Sequence, residues 1–101
     1  MPATAARLQL RHPDRSKKMP RIDRRTYDVV RRTALATLPK KEPGITWTEF
    51  RDAVAKKLER AKDWDRSLNP WWYTTAVKLD LEARGEVRRL PRSSPQRLVR
   101  V

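Results

Sequence analysis

The seven residues Leu81-Glu82-Ala83-Arg84-Gly85-Glu86-Val87 carry the chain out of a helix and into a strand. Glycine at position 85 can take the left-handed conformation that closes a helix without the Cβ clash other residues suffer. The helix start is equally plain. At Asn69-Pro70 an asparagine cap precedes a proline at the first helical position, where a missing N–H costs nothing. The two signals bracket a helix over residues 70–84. Beyond it, residues 86–90 and 96–101 read as strands, and Pro91-Arg92-Ser93-Ser94-Pro95 is the turn that folds them into a hairpin.

Two further helices precede this unit. Asp23 caps a helix over residues 23–38, in which Tyr27, Val30, Ala34 and Leu38 form one apolar stripe, and Pro39 stops it. Ile45-Thr46-Trp47 is a short β-like segment. Thr46 and Glu49 have capping-box spacing for a helix over residues 47–62, with Thr48 as the alternative cap; its stripe is Phe50, Val54, Leu58 and Ala61. Asp63 to Leu68 is a polar connection. Residues 1–20 hold Pro2, Pro13 and Pro20 and show no helical period. Leu8 and Leu10 alternate with Arg7, Gln9 and Arg11, so this basic N-terminal arm either includes a short edge strand or is flexible. Met19-Pro20 offers an alternative start. The expected fold class is α+β, with an arm over residues 1–20 and one domain over residues 21–101.

The order helix, short strand, helix, helix, hairpin resembles the winged-helix layout, and Leu81 to Val87 resembles the junction from third helix to wing in many such domains. The run Trp71-Trp72 through Val77-Lys78-Leu79-Asp80-Leu81, with Pro95-Gln96-Arg97-Leu98, is similar to a family of small, functionally uncharacterised bacterial proteins. These resemblances imply a single winged-helix domain over residues 21–101 and a bacterial origin. In winged helices that bind DNA, the third helix usually enters the major groove and the wing touches backbone or minor groove.

Charge supplies the functional expectation. The 101 residues carry 25 Lys and Arg against 12 Asp and Glu, a net charge of +13. The excess is uneven: residues 1–20, 21–40 and 86–101 each carry a net +4, whereas residues 41–68 carry +1 and residues 69–85 none. Such a field favours polyanions through counterion release and speeds their association. The residues expected at a DNA surface are Lys56 and Lys57 of the second helix, Trp71, Thr74, Thr75 and Lys78 on the outward arc of the third, and Arg88, Arg89, Arg92, Arg97 and Arg100 of the wing. The third helix is the weak part of this reading. It is neutral, places Glu82 on the same arc, and lacks an exposed Arg, Asn or Gln for bidentate base contacts. A backbone-dominated mode with weak sequence preference follows, in a cytoplasmic protein and plausibly in transcriptional regulation.

Two other classes compete. A protein-interaction module would dock through the neutral third helix and Trp71, and RNA or ribosome association would use the basic ends equally well. Trp47 and Trp72 are expected in the core. Trp71 points outward, to pack on the Asp63–Leu68 loop or a second subunit. The wide arc of Trp72, Ala76, Leu79 and Ala83 implies a dimer surface unless an N-terminal strand covers it.

Enzyme chemistry has little footing, and no cofactor or metal is expected. There is no cysteine, and two glycines cannot build a phosphate-cradling loop. His12 stands alone, and the pairs Glu49/Asp52 and Asp63/Asp65 suit a helix dipole and a solvated loop. Asp80 is expected to pair with Arg84, four residues on. No apolar run exceeds three residues, too short for a membrane span.

Overall fold

The computed structural model describes residues 6–92 and 94–101. In chain order the elements are β1 (Arg7–Gln9), β2 (Arg21–Asp23), α1 (Arg24–Thr37), β3 (Ile45–Thr46), α2 (Trp47–Arg60), α3 (Pro70–Ala83), β4 (Val87–Arg89) and β5 (Arg97–Arg100). The fold class is α+β. The three helices pack on one another around Val30, Phe50, Val54, Leu58, Val77 and Leu81, and Val87 and Leu98 close the core from the hairpin side.

Local signals account for the helix boundaries. Asp23 accepts a hydrogen bond from the Thr26 amide. Thr46 and Glu49 form the reciprocal capping box, so Thr46 rather than Thr48 is the cap. Asn69 accepts from the amides of Trp71 and Trp72, with Pro70 opening the helix. At the far end of α3, Gly85 has φ +80°, the Gly85 amide donates to the Glu82 carbonyl and the Glu86 amide to that of Leu81. This paired closure satisfies carbonyls that the helix would otherwise leave unbonded.

The hairpin belongs to a three-stranded antiparallel sheet of order β3-β5-β4, in which Ile45 pairs with Leu98 and Val87 with Arg100. The expected hairpin turn includes Ser93, which lies outside the described residues. Gly44, with φ +73°, lets the Lys40–Gly44 loop lie against β5, since a Cβ there would collide with the Leu98 carbonyl oxygen and press on Val99. The Arg100 amide donates to the Pro39 carbonyl and anchors the start of the same loop.

The N-terminal segment is more than an arm. Residues 1–5 lie outside the described residues, but β1 pairs antiparallel with β2, Leu8 opposite Ile22, in a second small sheet. Leu10 is 2% exposed and belongs to the same core as the helices. Starting the chain at Met19 would remove both. A further departure is Trp64, inside the stretch expected to be a polar connection: it is buried, its ring edge-to-face with Tyr73 at 5.8 Å. Its neighbours in sequence are charged, so no apolar period announces it.

Candidate nucleic-acid interface

The residues expected to meet nucleic acid divide sharply once folded. On α3, Thr74 is 1% exposed and its hydroxyl donates to the Pro70 carbonyl. Thr75 is half-buried, its hydroxyl bonded to the Trp71 carbonyl. Lys78 is 5% exposed and fully engaged: its ammonium donates to Gln96 Oε1 at 2.9 Å, pairs with Glu82 at 2.8 Å, and lies 5.1 Å from the Trp47 ring centroid. Thr74 and Lys78 are therefore interior groups, contrary to the outward placement expected from helical phase. The arc that carries them faces Trp47 at the start of α2 and Gln96 at the base of the hairpin, and α3 is enclosed on more sides than an amphipathic helix of this size would be.

Trp71 and Trp72 keep the exposure that Thr74 and Lys78 lose. Trp71 is 42% exposed and lies under the Arg51 guanidinium at 5.0 Å. Trp72, expected in the core, is 46% exposed, its ring edge-to-face with Tyr73. The chain's own N-terminal segment lies along the arc of Ala76, Leu79 and Ala83, the alternative to a dimer surface that the sequence offered, and leaves Trp72 at its rim.

A buried cluster holds that segment in place. Asp80 is fully buried and accepts from Tyr27 Oη at 2.7 Å, Arg84 Nε at 2.8 Å and the Arg11 backbone amide at 2.8 Å. The expected Asp80–Arg84 pair is thus one arm of a three-way junction joining α1, α3 and the N-terminal segment. Burial, then the hydrogen bond to Asp80, push the Tyr27 hydroxyl above its ordinary range, and the same carboxylate raises Arg84. These are the expected consequences of taking a phenol out of water and setting a guanidinium against a carboxylate.

The wing is different. Arg88, Arg89 and Arg92 are exposed, and Arg97 and Arg100 half-buried. The single acid of the hairpin, Glu86, is taken by Arg31 of α1 in an ion pair, a contact that raises Arg31. Arg89 approaches Glu82 only at 4.0 Å, while Glu82 is already held by Lys78. Arg88 and Arg92 form no ion pair among the described residues. Arg92 has φ +60°, a left-handed backbone that disfavours any side chain with a Cβ.

Lys56 and Lys57 are exposed on α2, and Lys57 donates to Thr37 Oγ1 at 2.9 Å at the end of α1. That contact sets Lys57 near Pro39 and so near Arg100, with the exposed Lys40 and Lys41 of the adjoining loop. Lys40 was visible only as part of the basic excess of residues 21–40, and Lys41 falls in the nearly neutral stretch that follows; their place beside β5 depends on Gly44. The exposed Arg11, Arg15, Lys17 and Lys18 of the N-terminal segment form a second basic cluster, bordering α3 at Glu82 and Ala83.

Among the described residues, no group of three or more His, Asp or Glu side chains is placed to hold a metal ion, and no helix is long and apolar enough to cross a membrane. Fold and surface together define a small α+β domain of three helices and a hairpin whose unpaired cations are concentrated outside its third helix. Residues 7–98 match the model of a family of unknown function (DUF6958), and the chain belongs to that family. No curated protein and no solved structure shows significant similarity to it.

Proposed function

We propose that this chain is a cytoplasmic winged-helix protein that binds nucleic acid, duplex DNA in the first place, through phosphate contacts made by the wing. The observation that carries the reading is the state of the wing arginines. Glu86, the hairpin's one carboxylate, is spent on Arg31, so Arg88 on β4 and Arg92 in the turn have no ion-pair partner among the described residues. Arginines left exposed and unpaired on a hairpin suit phosphates or a narrow minor groove, and neutralising phosphates releases counterions. Arg97 and Arg100 on the partner strand, with Lys56 and Lys57, extend the same field.

The burial of Thr74 and Lys78 speaks against base reading by α3 and for weak sequence preference. Contacts to the sugar-phosphate backbone position a protein without specifying a sequence. Titration of labelled duplexes of unrelated sequence by fluorescence anisotropy tests this. Micromolar or tighter affinity, similar across sequences and falling steeply from about 50 to 200 mM salt, is the expected result. No binding at the lowest salt would overturn it.

The exposure of Trp71 and Trp72 favours a second reading, a protein-interaction module docking through the start of α3. Loss of a protein partner in Trp71→Ala with DNA affinity intact would select that reading.

A further inference from the structure

Along α3, on the side away from α2, runs a groove whose other wall is the segment Leu10–Pro20. Its two halves differ in chemistry. Near the helix start it is apolar, a cleft of about 230 Å³ lined by Met19, Pro20, Trp72, Thr75, Ala76 and Leu79. Toward the helix end it widens to about 680 Å³ and becomes basic, with Arg11, His12, Arg15, Lys17 and Lys18 on the segment facing Glu82 and Ala83. Met19 lines both halves, so they adjoin. From Trp72 to Ala83 the helix rises roughly 16 Å at about 1.5 Å per residue, the reach of two or three nucleotides.

The acids of this groove are already committed. Asp14 accepts from the Ser16 amide and hydroxyl, and Glu82 is paired with Lys78. His12 Nδ1 accepts from the Asp14 amide, which leaves Nε2 as the ring's remaining donor. The basic half thus presents four cations and one imidazole against two acids, of which Glu82 is paired with Lys78. The Arg11 backbone is fixed to buried Asp80, so this wall is anchored rather than loosely draped. The apolar half presents an indole that the core does not need.

We infer that this groove binds an unpaired strand of nucleic acid, with a base stacked on Trp72 and the adjoining phosphates held by Arg11, Arg15, Lys17 and Lys18. Aromatic platforms beside a basic track are how single strands are bound without sequence readout. A second copy of the chain is disfavoured as the occupant, because it would bring another +13 molecule against a basic rim. The inference rests on the nucleic-acid reading but uses a different surface from the wing, so the two can fail separately.

The test is anisotropy with a labelled oligothymidylate of about a dozen nucleotides and, in parallel, a duplex of the same length. Trp72→Ala should weaken oligothymidylate binding about tenfold or more, Trp72→Phe should restore most of it, and neither should change duplex affinity. Replacing Arg15, Lys17 and Lys18 together by alanine should weaken the single strand and flatten its salt dependence. Melting curves of each variant show whether it is folded; Trp72→Ala, which gives up its edge-to-face contact with Tyr73, should lower the midpoint modestly, and the Arg15, Lys17 and Lys18 replacement should leave it unmoved. Unchanged oligothymidylate affinity in folded Trp72→Ala overturns the groove and leaves the wing standing. Loss of duplex binding in Arg88→Ala/Arg92→Ala with Trp72-dependent single-strand binding intact supports both surfaces. Intact duplex binding in that wing variant overturns the wing alone. Tighter Trp72-dependent binding of an acidic, leucine-containing peptide than of oligothymidylate assigns the groove to a protein ligand and overturns the inference.

Discussion

Lys78 on α3 and Arg92 on the wing are both cations in positions that a winged-helix reading offers to DNA, and the fold treats them oppositely. Lys78 is buried against Glu82, Gln96 and Trp47. Arg92 is exposed at a hairpin tip with no ion pair among the described residues and with its backbone in a disfavoured conformation. The first works for the fold. A cation is available to a partner only when its own carboxylates have been taken elsewhere, and sequence counts of charge do not report that. The same contrast recurs in the acids: Glu86 is drawn away from the wing by Arg31, whereas Glu82 stays to neutralise α3.

The comparison can be broken most forcefully at Asp80. Asp80→Ala strands Tyr27 Oη, Arg84 and the Arg11 amide in or near the core, and breaking a buried charged network of this kind costs about 3–5 kcal/mol. Thermal unfolding should report a drop of more than about 10 °C, given roughly 4–8 °C per kcal/mol for a domain near this size. A loss of only a few degrees would mean that the N-terminal segment is not held by this junction.

Lys78→Met should cost somewhat less, about 3 kcal/mol, because Glu82 is then left nearly buried without its close partner but keeps Arg89 at 4.0 Å. Duplex affinity of the folded variant should stay at the wild-type value. If affinity falls while stability holds, Lys78 is a DNA contact and the division between α3 and wing is wrong.

Arg92→Gly sharpens the contrast in the other direction. Relief of the left-handed backbone at position 92 should stabilise the protein by up to about 1 kcal/mol. Duplex affinity should meanwhile fall on every sequence, and the salt slope should drop by about 0.9. Stability and binding moving together, both down, would make Arg92 a structural residue.

The smallest effect concerns acid. Hydrogen bonds from Ser16, Thr46, Arg32 and Ser67 hold the carboxyls of Asp14, Glu49, Asp63 and Asp65 below their ordinary values. Their contribution is present at neutral pH, above the unfolded values of 3.8 and 4.5, and is lost as pH falls through the depressed folded values. Melting temperatures should therefore be flat from pH 7 to about 5 and decline below about 4, modestly because all four groups are at the surface. A melting temperature that stays flat down to about pH 3 would show that these hydrogen bonds contribute nothing to stability.

What the sequence revealed of the fold was local in origin. Asp23, Thr46, Asn69-Pro70 and Gly85 act within a few residues of themselves, and each performs the role its type implies. The misplacements all involve distant partners. Lys78 turns inward because Trp47 and Gln96, both distant along the chain, meet that arc of α3. Leu10 enters the core because Arg11 is tied to Asp80, 69 positions away. Trp72 is exposed because the segment that covers the rest of its arc stops at Pro20. Among the candidate residues the exposure of Arg88, Arg89 and Arg92 was legible, since they lie on an edge strand and in the turn beyond it, whereas Arg97 and Arg100 on the central strand β5 are half-buried. The groove beside α3 was not, because its walls come from opposite ends of the sequence.

The most direct test of the division between α3 and wing is the salt dependence of duplex binding, measured by anisotropy for three proteins: the wild type, Arg88→Ala/Arg92→Ala, and Lys78→Met. The slope of log affinity against log salt should fall by about 2 in the wing variant and stay unchanged in Lys78→Met. A slope that falls in Lys78→Met and holds in the wing variant would contradict the account.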